Sequence, residues 1–270
     1  MIHNPKCAAM HLDMWCIKSG WLESQLNAIK AGTVIPDADR VNQNYAGDDY
    51  EVSGKTAIIS LEGGLMKAWS KYGGTSTTWA RAAIRHASAN KKIDNIMLYV
   101  DSPGGTSAGT AELGDDIRKS KKTVHAYIDD LGASAAYWAA SQADHISMNR
   151  TGLSGSIGTY MSVDDTSGAA EMEGIKVHVI STGDYKGMGA EGAEITEEQL
   201  AHLQGIVNSH FSHFESAVRG GRKMLKVQFD RVRDGRVFDA KESIKLGLVD
   251  SITSFDAALL RLQRAKKQGE

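Results

Sequence analysis

From Lys55 onward, short continuous apolar runs alternate with longer stretches of helical spacing. The segments "KTAIISLEG" (55–63), "KIDNIMLYVDS" (92–102) and "KTVHAYID" (122–129) place apolar residues on consecutive positions. That is the pattern of strands buried on both faces. Between them, "TSTTWARAAIRHASAN" (75–90), "TSAGTAELGDDIRKS" (106–120) and "ASAAYWAASQA" (133–143) read as helices. "DHISMNR" (144–150) reads as a further short strand. "SIGTYMSVDD" (156–165) and "KVHVISTG" (176–183) are predicted as strands flanking the helix "SGAAEMEG" (167–174). Strands and helices in alternation, with apolar strands, predict an α/β domain around a mostly parallel sheet.

The flanks differ. Trp21, Leu22, Leu26 and Ile29 lie at helical spacing in "GWLESQLNAIKAG", with Gly32 as its stop. The polar, turn-rich stretch 33–54 reads as a linker or arm. Residues 196–222 form a long apolar-periodic segment opened by Thr196 and Gln199, the spacing of a capping box. "GRVFDAKESIKLGLVDSI" (235–252) predicts strand, helix, strand, and an amphipathic helix follows from Ser254. The expected division is an N-terminal arm over 1–54, the main domain over 55–253, and a C-terminal helix over 254–270 whose last residues fray.

Composition narrows the function classes. The 270 residues are 41% hydrophobic, enough for a sizeable core. Lys plus Arg is 31 and Asp plus Glu is 33, so no basic excess supports nucleic acid or anionic lipid as a partner. The two cysteines, Cys7 and Cys16, are too few for a disulfide framework and lack zinc-finger spacing. Asp13 and Lys18 interrupt the apolar N-terminal stretch, which argues against a signal peptide. No apolar run reaches the length of a membrane span. A soluble, cytoplasmic protein is the expectation.

Candidate chemistry lies in glycine-rich turns. "VDSPGG" (100–105) follows a strand, and Gly104 and Gly105 let the chain turn with exposed N–H groups. "DDLGASAAYW" carries Ser134 into a helix N-terminus, where free N–H groups stabilise an oxyanion. A serine at that place is also an ordinary N-cap. "RTGLSGSIGTY" offers Ser154 and Ser156 in a turn, and "STGDYKGMG" offers Lys186 between Gly183 and Gly187. Taken singly, each has a bland reading as turn, cap or solvated surface charge.

Taken in order, "DSPGG", "GASAAYWAAS", "GSIGTY", "TGDYKGMG" and "DGRVFDAKESIKLGLVD" resemble the S49 family of serine peptidases, the signal peptide peptidase A group. The likeness leans to the phage branch that processes capsid or scaffold proteins, in the host cytoplasm or the assembling prohead, with a bacterial soluble signal-peptide-peptidase-like protease as the alternative. It covers roughly 55–252. The resemblance implies a ClpP/crotonase-like fold of repeated ββα-type units, with an N-terminal arm and C-terminal helices. It implies Ser134 as nucleophile, Lys186 as general base, and Ser156 hydrogen-bonding the lysine amine. It places the oxyanion hole at the Gly105 and Ala135 N–H groups, with Gly104 and Gly132 contacting a protein or peptide substrate. It further implies a homo-oligomeric ring, capsid or scaffold partners, and neither a cofactor nor a metal.

The chemistry is coherent. A serine hydroxyl needs a base to become nucleophilic. A lysine serves only when neutral, so burial must lower its pKa from about 10.4. Asp184 lies two residues from Lys186 and must point away. Rival readings are weaker. A Ser-His-Asp triad would need His145 or His178 beside the serine. A crotonase-type acyl-CoA enzyme would need neither Ser134 nor Lys186. "GMGAEG" (187–192) matches a dinucleotide fingerprint but lacks the strand and helix around it. His210 and His213 share a helix face without a third ligand. An inactive scaffold homologue would more often have lost the serine or the lysine.

Overall fold

The computed structural model describes residues 14–18, 20–31, 47–70 and 73–265. The chain falls into two compact units. Among the described residues, one comprises Met14 and Thr159–Phe211, the other Trp15–Gly158 and the residues from Ser212 to 265. The boundary at 211/212 lies inside a single helix.

In the larger unit the elements run β1 (Trp15–Ile17), α1 (Trp21–Lys30), β2 (Glu51–Ser53), β3 (Thr56–Met66), β4 (Thr75–Ser76), α2 (Thr77–Ala89) and β5 (Asn95–Thr106). Then follow α3 (Thr110–Arg118), β6 (Thr123–Ala133), α4 (Ala135–Ala140), β7 (His145–Met148) and β8 (Leu153–Gly155). The smaller unit holds α5 (Ser167–Met172) and the start of α6 (Glu197–Gly221). The larger unit resumes with the end of α6, then α7 (Lys226–Phe229), β9 (Val237–Asp239), α8 (Ala240–Lys245), β10 (Ser251–Ile252) and α9 (Phe255–Arg264).

The sheet order is β10-β7-β6-β5-β3-β2. The pairs from β10 to β3 are parallel, and β2 adds an antiparallel edge. This is the predicted architecture, and its cause is visible in the strands. On one face Ile58, Met97 and Tyr127 pack with Ala258 and Leu262 of α9. The alternate residues Ile59, Ile96, Leu98, Ala126 and Ile128 are fully buried on the other face, where α2, α3 and α4 pack. Trp138 of α4 stacks on Phe214 at 4.8 Å, and Gln142 Nε2 donates to the Ala217 carbonyl at 2.9 Å, tying α4 to the end of α6.

Several details depart from the sequence reading. "DSPGG" is not a turn: β5 runs extended through it to Thr106, with a register shift between Val100 and Ser102. "LSG" (153–155), read as turn, is a strand because β6 and β9 pair with it from either side. "SIGTYMSVDD" and "KVHVISTG" form no strand among the described residues, since neither finds a ladder along its length. "WCI" and "EVS" are strands that no periodicity announces. The capping box is present: Gln199 N–H donates to Thr196 Oγ1 at 3.3 Å, and Thr196 N–H to Gln199 Oε1 at 3.2 Å. The helix stop at Gly32, most of the linker, and the tail from 266 lie outside the described residues.

Candidate active site

Strand β6 ends at Ala133 and helix α4 starts at Ala135, so Ser134 alone makes the turn between them. Its φ of 56° and ψ of −120° are sterically unfavourable for a residue with a side chain. Its N–H donates to the Gly155 carbonyl at 2.8 Å and its carbonyl accepts from Trp138 N–H at 2.8 Å. The side chain is fully buried, and its hydroxyl makes no cap bond and has no partner. A capping serine looks different in the same molecule. Ser76 sits in the extended region, and its Oγ accepts from Trp79 N–H at 3.2 Å. Ser134 is therefore not a cap.

The register sets what lies beside it. β8 pairs in parallel with β6, placing Gly132 opposite Ser154 and Ala133 opposite Gly155. One step past that ladder are Ser134 and Ser156, and Ser156 also has a positive φ, 51°. Its N–H donates to the Arg236 carbonyl at 2.7 Å. Ser154 is engaged elsewhere, hydrogen-bonded to Ser243 Oγ at 2.8 Å.

On the other side of β6, Ser102 of β5 lies opposite Gly132. Two residues further, Gly104 adopts φ 101°. A Cβ there would overlap the Cys16 carbonyl oxygen and lie 2.9 Å from both Ala135 N and Ser134 Cβ. Only glycine lets the β5 backbone come this close to the serine turn. Gly105 follows in the ladder opposite Leu65 of β3, against whose backbone it packs. Gly104, Gly132, Ser134, Ala135 and Ser156 thus converge at one end of the sheet, with Gly105 one step along β5. The element that sequence reasoning missed is β1, whose three residues pair antiparallel with Gly104–Thr106.

Carboxylates gather near the same strand ends. Tyr99 Oη donates to Asp129 at 2.6 Å. Burial, with Asp130 and Asp129 nearby, raises the Asp101 pKa. His145 is at the other end of the strands. It pairs with His125 near the start of β6, nine residues and so roughly 30 Å from Ser134 at about 3.3 Å per strand residue. It cannot serve this serine.

Lys186 belongs to the smaller unit. It is exposed, so the burial expected for it is not found in this chain. It lines an open cavity of about 340 Å³ with Val179, Asp184, Met188, Glu194 and Gln199. Gln199 Nε2 donates to the Asp184 carbonyl at 2.7 Å and steadies this loop. Asp184 is itself exposed.

The profile of Peptidase family S49 matches residues 116–269. A protein of Enterococcus faecium provisionally named signal peptide peptidase SppA is 29% identical over 66% of this chain and 53% of its own length. Capsid assembly protease C of Escherichia phage lambda is 26% identical over 93% of this chain and 61% of its own. The chain thus spans between about half and three fifths of the length of these relatives. Among solved structures, an enoyl-CoA hydratase from Shewanella pealeana superposes with a TM-score of 0.52 at 12% identity, covering 82% of this chain and 75% of that one. That likeness establishes a crotonase-like fold.

Proposed function

The chain belongs to peptidase family S49, and from that premise we propose that it is a serine endopeptidase with Ser134 as nucleophile and Lys186 as general base. The observation that carries the reading is Ser134 itself: a buried hydroxyl with no partner, on a strained strand-to-helix turn. Among the described residues, no other combines the two properties. Strain of this kind concentrates where function requires a fixed geometry.

In the proposed reaction, neutral Lys186 takes the hydroxyl proton as Ser134 Oγ bonds to the scissile carbonyl carbon. The Gly105 and Ala135 N–H groups hold the oxyanion. The Ala135 N–H belongs to the first turn of α4 and so has no intrahelical acceptor. The peptide C–N bond then breaks, and Lys186 returns the proton to the leaving amine. Water hydrolyses the acyl-enzyme by the same steps. Ser156 orients the amine without adding a charge. Gly104 lets the β5 backbone approach the serine turn and Gly132 lets Ile128 pack against it, and in this reading both lie beside the substrate.

Lys186 is exposed in the single chain, so the desolvation that would neutralise it has to come from elsewhere. Assembly into a homo-oligomeric ring supplies it in this reading and restricts access to unfolded or extended segments. The match to a phage capsid assembly protease supports capsid or scaffold proteins as substrates.

The test incubates wild type, Ser134→Ala and Lys186→Ala with an unfolded protein across the neutral to mildly alkaline range. Cleavage by wild type alone, rising as a lysine deprotonates, is the expected result. Equal cleavage by all three removes both residues from the mechanism. Thioester hydrolysis without proteolysis would transfer the chain to acyl-CoA chemistry on the same fold.

A further inference from the structure

Strand β6 leaves the side of β5 at Gly132 to form the Ser134 turn. The vacated edge of β5 is filled by the chain's own N-terminal strand, with Trp15 opposite Thr106, Cys16 opposite Gly105 and Ile17 opposite Gly104. Lys18 N–H donates to the Pro103 carbonyl at 2.7 Å. Bonded and non-bonded pairs alternate along an antiparallel ladder. The Lys18–Pro103 bond therefore makes Cys16–Gly105 the next bonded pair and sets the Cys16 carbonyl against the Gly105 N–H. A second observation agrees. A Cβ on Gly104 would overlap the Cys16 carbonyl oxygen and lie 2.9 Å from Ala135 N and Ser134 Cβ. The Cys16 carbonyl, set against the Gly105 N–H, thus shares the surroundings of Gly104 with Ala135 N, the other donor assigned above to the oxyanion.

We propose that Trp15–Ile17 is a pseudosubstrate strap, occupying the strand edge on which an extended polypeptide must bind. The proposal rests on the peptidase reading of Ser134. Its logic is exclusion. A substrate whose carbonyl reaches Gly105 and Ala135 N–H groups needs the 103–106 edge of β5, and one edge accepts one strand. The substrate then runs antiparallel to β5, as the strap does. The strap is three residues long and buried, with Trp15, Cys16 and Ile17 all at most 3% exposed. Resting protein is closed, and apparent affinity falls by the fraction of molecules whose edge is open.

The test uses the full chain carrying Cys7→Ser and Ser134→Ala, which leaves Cys16 as its single thiol, and β-casein as an extended polypeptide. Burial pushes the Cys16 thiol up to about 12, so at about pH 8 iodoacetamide should label resting protein slowly. Saturating β-casein should speed labelling at least about tenfold by displacing the strap. In the otherwise wild-type chain, Ile17→Asp charges a buried position and should raise kcat/KM on β-casein at least about tenfold. A labelling rate that β-casein leaves unchanged overturns the proposal, whatever the cleavage assay gives. So does a folded Ile17→Asp protein, judged by circular dichroism, that is no more active than wild type. Ser134-dependent cleavage with unchanged labelling removes the strap and keeps the peptidase. Faster labelling without cleavage keeps the strand-accepting edge and removes the hydrolase.

Discussion

Ser134 carries two costs at once. A buried hydroxyl without a partner costs about 1–3 kcal/mol. A side chain at φ 56° costs a further amount of about the same size. Ser134→Ala removes the first and leaves the second. It should raise stability by about 1 kcal/mol in urea titration while abolishing cleavage. A variant that is inactive and also less stable would mean that the hydroxyl has a structural role. Gly104→Ala tests the opposite case. Its new methyl would meet the backbone of Cys16 and Ala135 at φ 101°, and none of these groups is a flexible side-chain end. A loss of about 3 kcal/mol or more is expected, measurable as an earlier denaturation midpoint. Local spacing left Ser134 open between cap and nucleophile, and only the family resemblance favoured the nucleophile. Excluding the cap needs a dihedral angle and the absence of an acceptor bond, and Ser76 shows how a real cap differs.

Elements with many buried residues were legible, and elements defined by a distant partner were not. The run "NIMLY" announced β5 because both of its faces are covered. "WCI" is three residues long and pairs with residues some ninety positions away, so no local period could reveal it. "KVHVISTG" has strand-forming residues yet no ladder. Pairing of β6 with β7 also creates an acid-sensitive element. His125 is buried against Ser147 Oγ at 2.7 Å, with the His145 ring 4.7 Å away. Burial first, then the His145 and Arg261 charges, lowers its pKa to about 3, while Asp250 opposes them. The folded value lies below the unfolded value of about 6.5. The stability this histidine contributes is therefore present above pH 6.5 and is lost as pH falls towards 3. Unfolding free energies from urea titrations taken downward through this window should drop by about 1.4 kcal/mol per pH unit from this group, and by correspondingly less in His125→Phe. Identical slopes in the two proteins would show that His125 titrates freely when folded.

At the scale of the molecule, the family profile and the fold agree with the order of motifs along the chain. The two-unit division was not legible, because it cuts through the continuous apolar periodicity of α6. If assembly supplies the desolvation of Lys186, specific activity should rise with protein concentration in step with an oligomer seen by sedimentation velocity. Full activity in a monomer would remove that requirement. The division into two units separates the members of the proposed pair along the chain. Ser134 and the strands that hold it, β6, β8 and β9, all belong to the larger unit, whereas 159–211 is a contiguous insertion between β8 and β9 that contains Lys186. The proposed nucleophile and the proposed base therefore fall in different units, and the S49 profile, matching 116–269, spans both. In the proposed reading, a relative that kept the serine turn but lost the residue at the place of Lys186 would hold a strained serine without its base, so an intact Ser134 framework alone does not make a working pair.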